Sequence, residues 1–278
     1  MGLSVVILCG GQGTRMRSGT PTKKELVEIG GRPILWHVMK IFATYGHTHF
    51  ILALGYQADA VKRYFLEYEA MTRDFTLWLG DSRRITYHQP SDERAWRVTL
   101  ADTGLRTNKA SRIRRVAHYI EGETFFVTYG DGVADIDLDA LLAFHREHGR
   151  LATVTGFQPR SQYGLLEADA DGRVVSVREK PRLDHWVNGG FFVFQRGVLD
   201  YIGPGDDVDL ERETLPRLAA DGQLMVYRHR GFWRSMDTFK EAIELDRLWR
   251  EGAPWAVWKR DRGRASNEAK KRAKGWSS

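Results

Sequence analysis

Residues 4 to 10 read Ser-Val-Val-Ile-Leu-Cys-Gly, a continuous apolar run without a polar face. A surface helix or a half-solvated strand would interrupt such a run at its own period, so this one predicts a strand covered on both sides, the habit of a parallel sheet. The segments that follow supply the cover. PILWHVMKIFATYG (33 to 46) places Ile34, Trp36, His37, Val38, Ile41 and Phe42 at helical spacing, with Pro33 suited to the first turn and Gly46 to the end. HFILALGY (49 to 56) reads as a strand and DAVKRYFLEYEA (59 to 70) as an amphipathic helix. FFVTYG (125 to 130) is a further strand, and DLDALLAFHREHG (137 to 149) a helix that Asp137 caps and Gly149 ends. Repeated strand–helix units predict an α/β, doubly wound, mostly parallel sheet, with ligands at the carboxyl ends of its strands.

A chain of 278 residues with 42% hydrophobic content can bury a sizeable core in one domain. Its apolar runs fall far short of the ~18 residues of a membrane helix. The amino terminus has no basic region followed by a long apolar stretch, so no membrane association and a cytoplasmic location are expected. The only cysteine, Cys9, suits a reducing compartment and reads as a small apolar residue ending a strand. The formal charge of +6 is localised: residues 259 to 278 carry eight Lys or Arg against two acids, leaving 34 of each sign elsewhere. That stretch reads as a solvated basic terminus rather than a nucleic-acid patch, since no zinc-finger spacing or RNA-binding aromatic signature accompanies it. His145 and His148, three apart, lack the Cys or carboxylate partners of a metal site.

Residues 10 to 24, at the end of the first strand, hold four glycines and four basic side chains. A Walker loop needs Gly-Lys-Ser/Thr after a fixed spacing, which is missing, and the dinucleotide fingerprint begins at Gly11-Gln12-Gly13 but meets Met16 where its third glycine belongs. What remains is Gly10-Gly11-Gln12-Gly13-Thr14-Arg15, with Lys23 and Lys24 at the far end. Glycines let backbone N–H groups approach phosphate oxygens, Thr14 adds a hydroxyl donor and Arg15 a planar fork. The loop therefore reads as a phosphate cradle, against the blander alternative of a solvated turn with incidental charges.

In order along the chain, GGQGTRMRS, KKELVEIGGRPILWHVMK, LGYQADAVKRYF, AWRVTLADTG, FFVTYGDGVADID, REKP, NGGFFVF and GFWRSMDT resemble the landmarks of the sugar-1-phosphate nucleotidylyltransferases. The likeness runs over roughly residues 3 to 258 and is greatest to the cytidylyltransferases that act on glucose 1-phosphate. It implies a Rossmann-like nucleotidyltransferase fold with a mixed, mostly parallel sheet over residues 1 to 258. The β-rich pieces LATVTGF, RVVSVREK and NGGFFVFQ would supply a small sugar-binding insertion, and the basic tail, 259 to 278, falls outside the likeness. In such chemistry a sugar-phosphate oxygen attacks the α-phosphorus of a nucleoside triphosphate in line and pyrophosphate leaves. The nucleophile is already anionic, its second pKa being ~6, so no general base is demanded. Two polyanions must instead be brought together by cations, backbone donors and carboxylates holding a divalent metal.

By resemblance, Arg15 holds the triphosphate and Lys24 lies between it and the incoming phosphate, with Gly10, Gly11, Gly13, Thr14 and Gly130 around them. Asp131 and Asp237 are the carboxylates that grip Mg²⁺; on bare sequence they also read as a turn aspartate and a helix N-cap. Lys180 clamps the sugar phosphate, with Glu179, Asn188 and Gly189 facing the sugar hydroxyls, although Lys180 alone would pass for a surface lysine. Thr103, Gly104 and Arg112, with backbone near Gly11, read the base. Two features depart from the family pattern: Thr22-Lys23-Lys24-Glu25 stands where Lys-Pro-Lys-Pro is usual, with Lys23 a candidate to cover for the first lysine, and Ala110-Ser111 replaces a glycine pair. The expected activity is CTP plus α-D-glucose 1-phosphate giving CDP-glucose and pyrophosphate, in a homo-oligomer. The alternatives are UTP, dTTP or a different phosphorylated substrate, and, in another class, a nucleotide sensor without catalysis. The presence of Arg15, Lys24, Asp131, Lys180 and Asp237 together argues against the last.

Overall fold

The first strand, β1 (Ser4–Cys9), is buried along its whole length, as its lack of a polar face requires. The structure, a computed structural model, describes residues 2–12, 23–161 and 163–259. Gly13, Thr14 and Arg15 of the expected cradle, and the basic tail beyond 259, lie outside the described residues.

After β1 come β2 (Glu28–Ile29), β3 (Arg32–Pro33), α1 (Ile34–Thr44), β4 (His49–Leu54), α2 (Ala58–Leu66), α3 (Tyr68–Thr72), β5 (Phe75–Trp78), β6 (Asp81–Tyr87), β7 (Arg97–Asp102) and α4 (Lys109–Val116). The second half adds β8 (Thr124–Tyr129), β9 (Gly132–Ala134), α5 (Leu138–His148), β10 (Ala152–Phe157), β11 (Leu165–Ala168) and β12 (Val174–Arg178). It ends with β13 (Val187–Asn188), β14 (Phe192–Gln195), α6 (Leu215–Ala220), β15 (Leu224–His229), β16 (Trp233–Ser235) and α7 (Phe239–Arg250).

β1 is paired in parallel with β4 on one side and β8 on the other, and β7 extends the parallel set beyond β4. Past β8 the sheet becomes mixed: β14 runs antiparallel to β8 and to β10, β13 pairs antiparallel with the far end of β10, and β15 lies parallel to β10. Successive residues of β1 enter opposite cores. Val5, Ile7 and Cys9 pack in the layer of Val38, Phe42 and Leu141, whereas Val6 and Leu8 join Ile113, Val116 and Leu218. Each large apolar side chain so buried contributes about 1.5–3 kcal/mol. Both faces are covered, and the chain is doubly wound.

Helix boundaries largely follow the sequence signals. Asp137 caps α5 through a 2.9 Å bond from the Ala140 N–H, and Gly149 ends it at φ 64°. The helix expected over 59 to 70 is divided, since α2 ends at Leu66 and the short α3 follows. The expected β-rich insertion is also smaller than the sequence suggested. LATVTGF and NGGFFVFQ form β10 and β14 of the central sheet, where Ala152, Phe192, Val193 and Phe194 are fully buried, and only RVVSVREK lies apart, in the exposed hairpin β11–β12. No helix among the described residues is long and apolar enough to cross a membrane.

Candidate active site

The carboxyl ends of β1 and β8 open on a cleft of about 540 Å³ that Lys24 and Asp131 line. Lys24 starts a single 3-10 turn, Lys24–Leu26, that returns the chain from the glycine-rich loop. Its ammonium contacts the Asp131 carboxylate and donates to Asp237 Oδ1 at 2.6 Å. The topology explains why residues 213 positions apart meet. Asp131 follows β8, β9 turns back to pair antiparallel with β16, and the Met236 N–H donates to Asp131 O at 3.0 Å, so Asp237 arrives beside Asp131. Gly130 makes the approach possible: a Cβ there would lie 2.8 Å from Glu25 Cγ and 2.9 Å from Cys9 Sγ.

The cap of the last helix falls to Thr238 rather than to Asp237. Thr238 is the N-cap of α7 and forms a capping box with Glu241, which also accepts from the Asp237 N–H at 2.7 Å. Burial pushes the Asp131 carboxyl above the usual range, and the Lys24 ammonium only partly offsets this. For Lys24 burial alone would lower the pKa, but Asp131 and Asp237 outweigh it and the net shift is upward. Two carboxylates converging on one cation are a fitting donor set for a hard divalent ion such as Mg²⁺. Among the described residues no group of three or more His, Cys, Asp or Glu is placed to hold a metal, so phosphate oxygens and water would complete any coordination shell.

Thr103, Gly104 and Arg112 come together at the ends of β4 and β7, where Arg112 lines the cleft. The Arg112 side chain is buried and Nη1 donates to Leu54 O (2.8 Å), Thr103 Oγ1 (2.6 Å) and Gly104 O (2.8 Å), while Nη2 reaches Gly10 O at 3.3 Å. Thr103 Oγ1 is buried as well and donates to Leu54 O at 2.5 Å. The guanidinium spends its donors tying three strand ends together. A Cβ at Gly10 would collide with it, so the glycine there makes room for the arginine. Gly11 lies beside Gly10 on the rim of the cleft. Ser111 anchors a neighbouring loop by donating to Gly205 O at 2.9 Å.

Asn188 reaches the cleft, whereas Glu179 and Lys180 do not. Asn188 Nδ2 donates to the Tyr129 hydroxyl at 3.0 Å, and the Gly189 carbonyl accepts from Trp233 Nε1 at 2.7 Å. Glu179 and Lys180 project into solvent, 3.9 Å from each other, with Lys180 at φ 44° in the left-handed region. Lys23 cannot cover for a missing phosphate-binding lysine, because its side chain is buried: Nζ donates to Gly11 O at 2.9 Å and lies 3.2 Å from Glu25 Oε2. Sequence reasoning missed the wall opposite Lys24. There Tyr129 OH donates to Glu211 Oε1 at 2.5 Å, and Lys109 Nζ stands 2.5 Å from Glu211 Oε2. Tyr129 lies within the FFVTYG strand and was within reach of inspection; Glu211 sits in a π-helical turn, Leu210–Thr214, without a sequence signature.

The family model of nucleotidyl transferases matches residues 4–251. The chain is 44% identical to the probable glucose-1-phosphate cytidylyltransferase of Bacillus subtilis and 43% identical to the glucose-1-phosphate cytidylyltransferase of Salmonella typhi, in each case over 92% of this chain and the whole of the relative. A crystal structure of HddC from Yersinia pseudotuberculosis complexed with GMP-PN superposes with a TM-score of 0.65 at 20% identity, covering 89% of this chain and 99% of that one.

Proposed function

Because the chain belongs to the nucleotidyl transferase family, we propose that it is a sugar-1-phosphate cytidylyltransferase that converts CTP and α-D-glucose 1-phosphate into CDP-glucose and pyrophosphate. The choice of nucleotide and sugar is supported by the cytidylyltransferases it matches along their whole length. The reaction type is supported by one arrangement above all, the Lys24 ammonium held between Asp131 and Asp237 in a cleft that Gly10 and Gly11 also line. Lys24 neutralises charge where the sugar phosphate meets the α-phosphate, and the Gly10-Gly11 backbone faces the triphosphate. Asp131 and Asp237 would hold Mg²⁺, which when bound spreads the charge that develops on the departing pyrophosphate. Arg15, with Gly13 and Thr14, belongs to the same reading as the triphosphate grip.

On the sugar side, Asn188 and Gly189 face the hydroxyls. Glu179 and Lys180, on the exposed hairpin side, would meet the sugar phosphate by closing over it; the left-handed backbone at Lys180 supports a functional reason for its strain. The catalytic unit is taken as residues 1 to 258 with an accessory tail. Cytoplasmic residence is supported by the single free Cys9, and self-association by Phe75, Leu79 and Ile85, exposed on hairpin β5–β6.

Pyrophosphate release measured with each of CTP, UTP, dTTP and GTP against several hexose 1-phosphates tests the reading. CTP with glucose 1-phosphate should give the highest kcat/KM, and Asp131→Asn should lower it at least about a hundredfold with the melting temperature preserved. A higher rate with another nucleotide would replace the proposed substrate, and an active Asp131→Asn enzyme would remove the metal role.

A further inference from the structure

Lys24 is flanked in sequence by two charged residues that the reaction does not use. The side chains of Lys23 and Glu25 are 1% and 7% exposed; Lys24 and Glu25 both line the cleft, but only Lys24 reaches Asp131 and Asp237. A buried charge is tolerated when paired and costly when orphaned. Here the pairing is local: Lys23 Nζ lies 3.2 Å from Glu25 Oε2 across the turn, and the same ammonium donates to Gly11 O at 2.9 Å. That second bond joins the end of the glycine-rich loop to its beginning, 12 residues earlier. Glu25 in turn packs under Gly130, the residue before Asp131. The pair therefore touches the loop and the base of the aspartate turn, and brackets Lys24.

We propose that Lys23 and Glu25 form a buried clasp that closes the base of the glycine-rich loop and aims Lys24 at Asp131 and Asp237, making both of them positioning residues for nucleotidyl transfer. Pairing across the turn explains the aim. With Lys23 and Glu25 paired to each other, the Lys24 ammonium is left to the two aspartates. If Lys23 were absent, Glu25 would stand buried with Lys24 as its neighbouring cation in the chain, and satisfying it would pull the Lys24 ammonium off the two aspartates.

The inference rests on the proposed function for the role of Lys24, so its test has an arm that needs no turnover. Brief acetylation of the folded parent, read by mass spectrometry, should leave Lys23 nearly unlabelled and Lys24 slower than exposed lysines such as Lys180. Lys23 labelling at the rate of a surface lysine would overturn the clasp. In Lys23→Met/Glu25→Gln, which removes both charges and leaves no orphan carboxylate, Lys24 should label several-fold faster. Its kcat should fall about tenfold or more, while the KM for sugar phosphate stays within about twofold, as misplacement of a reacting-centre group predicts. Lys23→Arg, which keeps the cation, should regain most of that kcat. A double variant with parental kcat and parental Lys24 labelling would refute the proposal. Absence of pyrophosphate release from the parent would instead refute the assigned reaction and leave the labelling result to stand.

Discussion

Glu211 shows what one side chain contributes when its partners lie far away in sequence. Its carboxylate accepts from the Tyr129 hydroxyl, 82 residues earlier, and balances Lys109, while the same hydroxyl accepts from Asn188. Burial first, and then Glu211, hold the Tyr129 phenol in its neutral form well above its ordinary range, so the phenol remains a donor to Glu211. Asn188 is thereby oriented at second hand. Glu211→Gln keeps the shape but removes the charge, and a hydrogen bond to a charged group is worth about 1.5–3 kcal/mol. The KM for glucose 1-phosphate should therefore rise about tenfold, with the KM for CTP and kcat changing far less; equal rises in both KM values would disconnect this network from the sugar. Lys24, Asp131 and Asp237 were singled out by resemblance, since the bare sequence also allowed a turn aspartate at 131 and a helix N-cap at 237. Glu211 was not, because DLERET has no periodic or motif signal and its meaning comes only from the contact. The bonds Arg112 makes to three carbonyls were not legible, because they depend on where the strand ends fall.

At the scale of the element, one residue of register decides whether Asp237 serves a helix or the site. Both Asp237 and Thr238 are good N-cap residues, and the sequence alone left Asp237 open as a cap. The structure selects Thr238, whose hydroxyl accepts from the Glu241 N–H at 3.3 Å while Glu241 Oε2 returns to the Thr238 N–H at 2.7 Å. The signal was present, since Thr-x-x-Glu is the capping-box spacing. Thr238→Ala should cost about 1 kcal/mol and lower the melting temperature by about 2–4 °C. It should also lower kcat, because the cap holds the backbone from which Asp237 projects. Loss of stability with unchanged kcat would show that β16 alone fixes Asp237. The parallel core of β4, β1 and β8 could be read from unbroken apolar runs, whereas β7, with its polar ends, was not read as a strand, and β10 and β14 could not be told from an insertion, since short apolar strands carry no mark of the sheet they join.

For the whole molecule, the layer that α1 and α5 form on one face of the sheet is locked by two buried neutral histidines. His37, on α1, bonds the Ile29 carbonyl through Nε2 at 2.8 Å and accepts from Trp255 Nε1 at 3.3 Å, which ties the helix to the segment after α7. His145, on α5, meets Thr153 of β10 at 2.8 Å and Gln195 of β14 at 3.1 Å. Burial lowers both pKa values to about 4. An unfolded histidine titrates near ~6.5, so between these values the unfolded chain binds more protons than the folded one. The stability each histidine contributes is therefore complete above pH 6.5 and lost as pH falls toward 4, about 2 kcal/mol of it by pH 5. Glu25 and Asp131, whose carboxyls burial raises, act in the opposite sense and blunt the total. The telling quantity is consequently a difference between proteins. Urea unfolding of the parent and of His145→Gln at pH 7 and pH 5 should show a loss on acidification that is smaller in the variant by about 2 kcal/mol. Equal losses in the two proteins would mean that His145 is already protonated in the fold, and that α5 is held to the sheet by its apolar face alone.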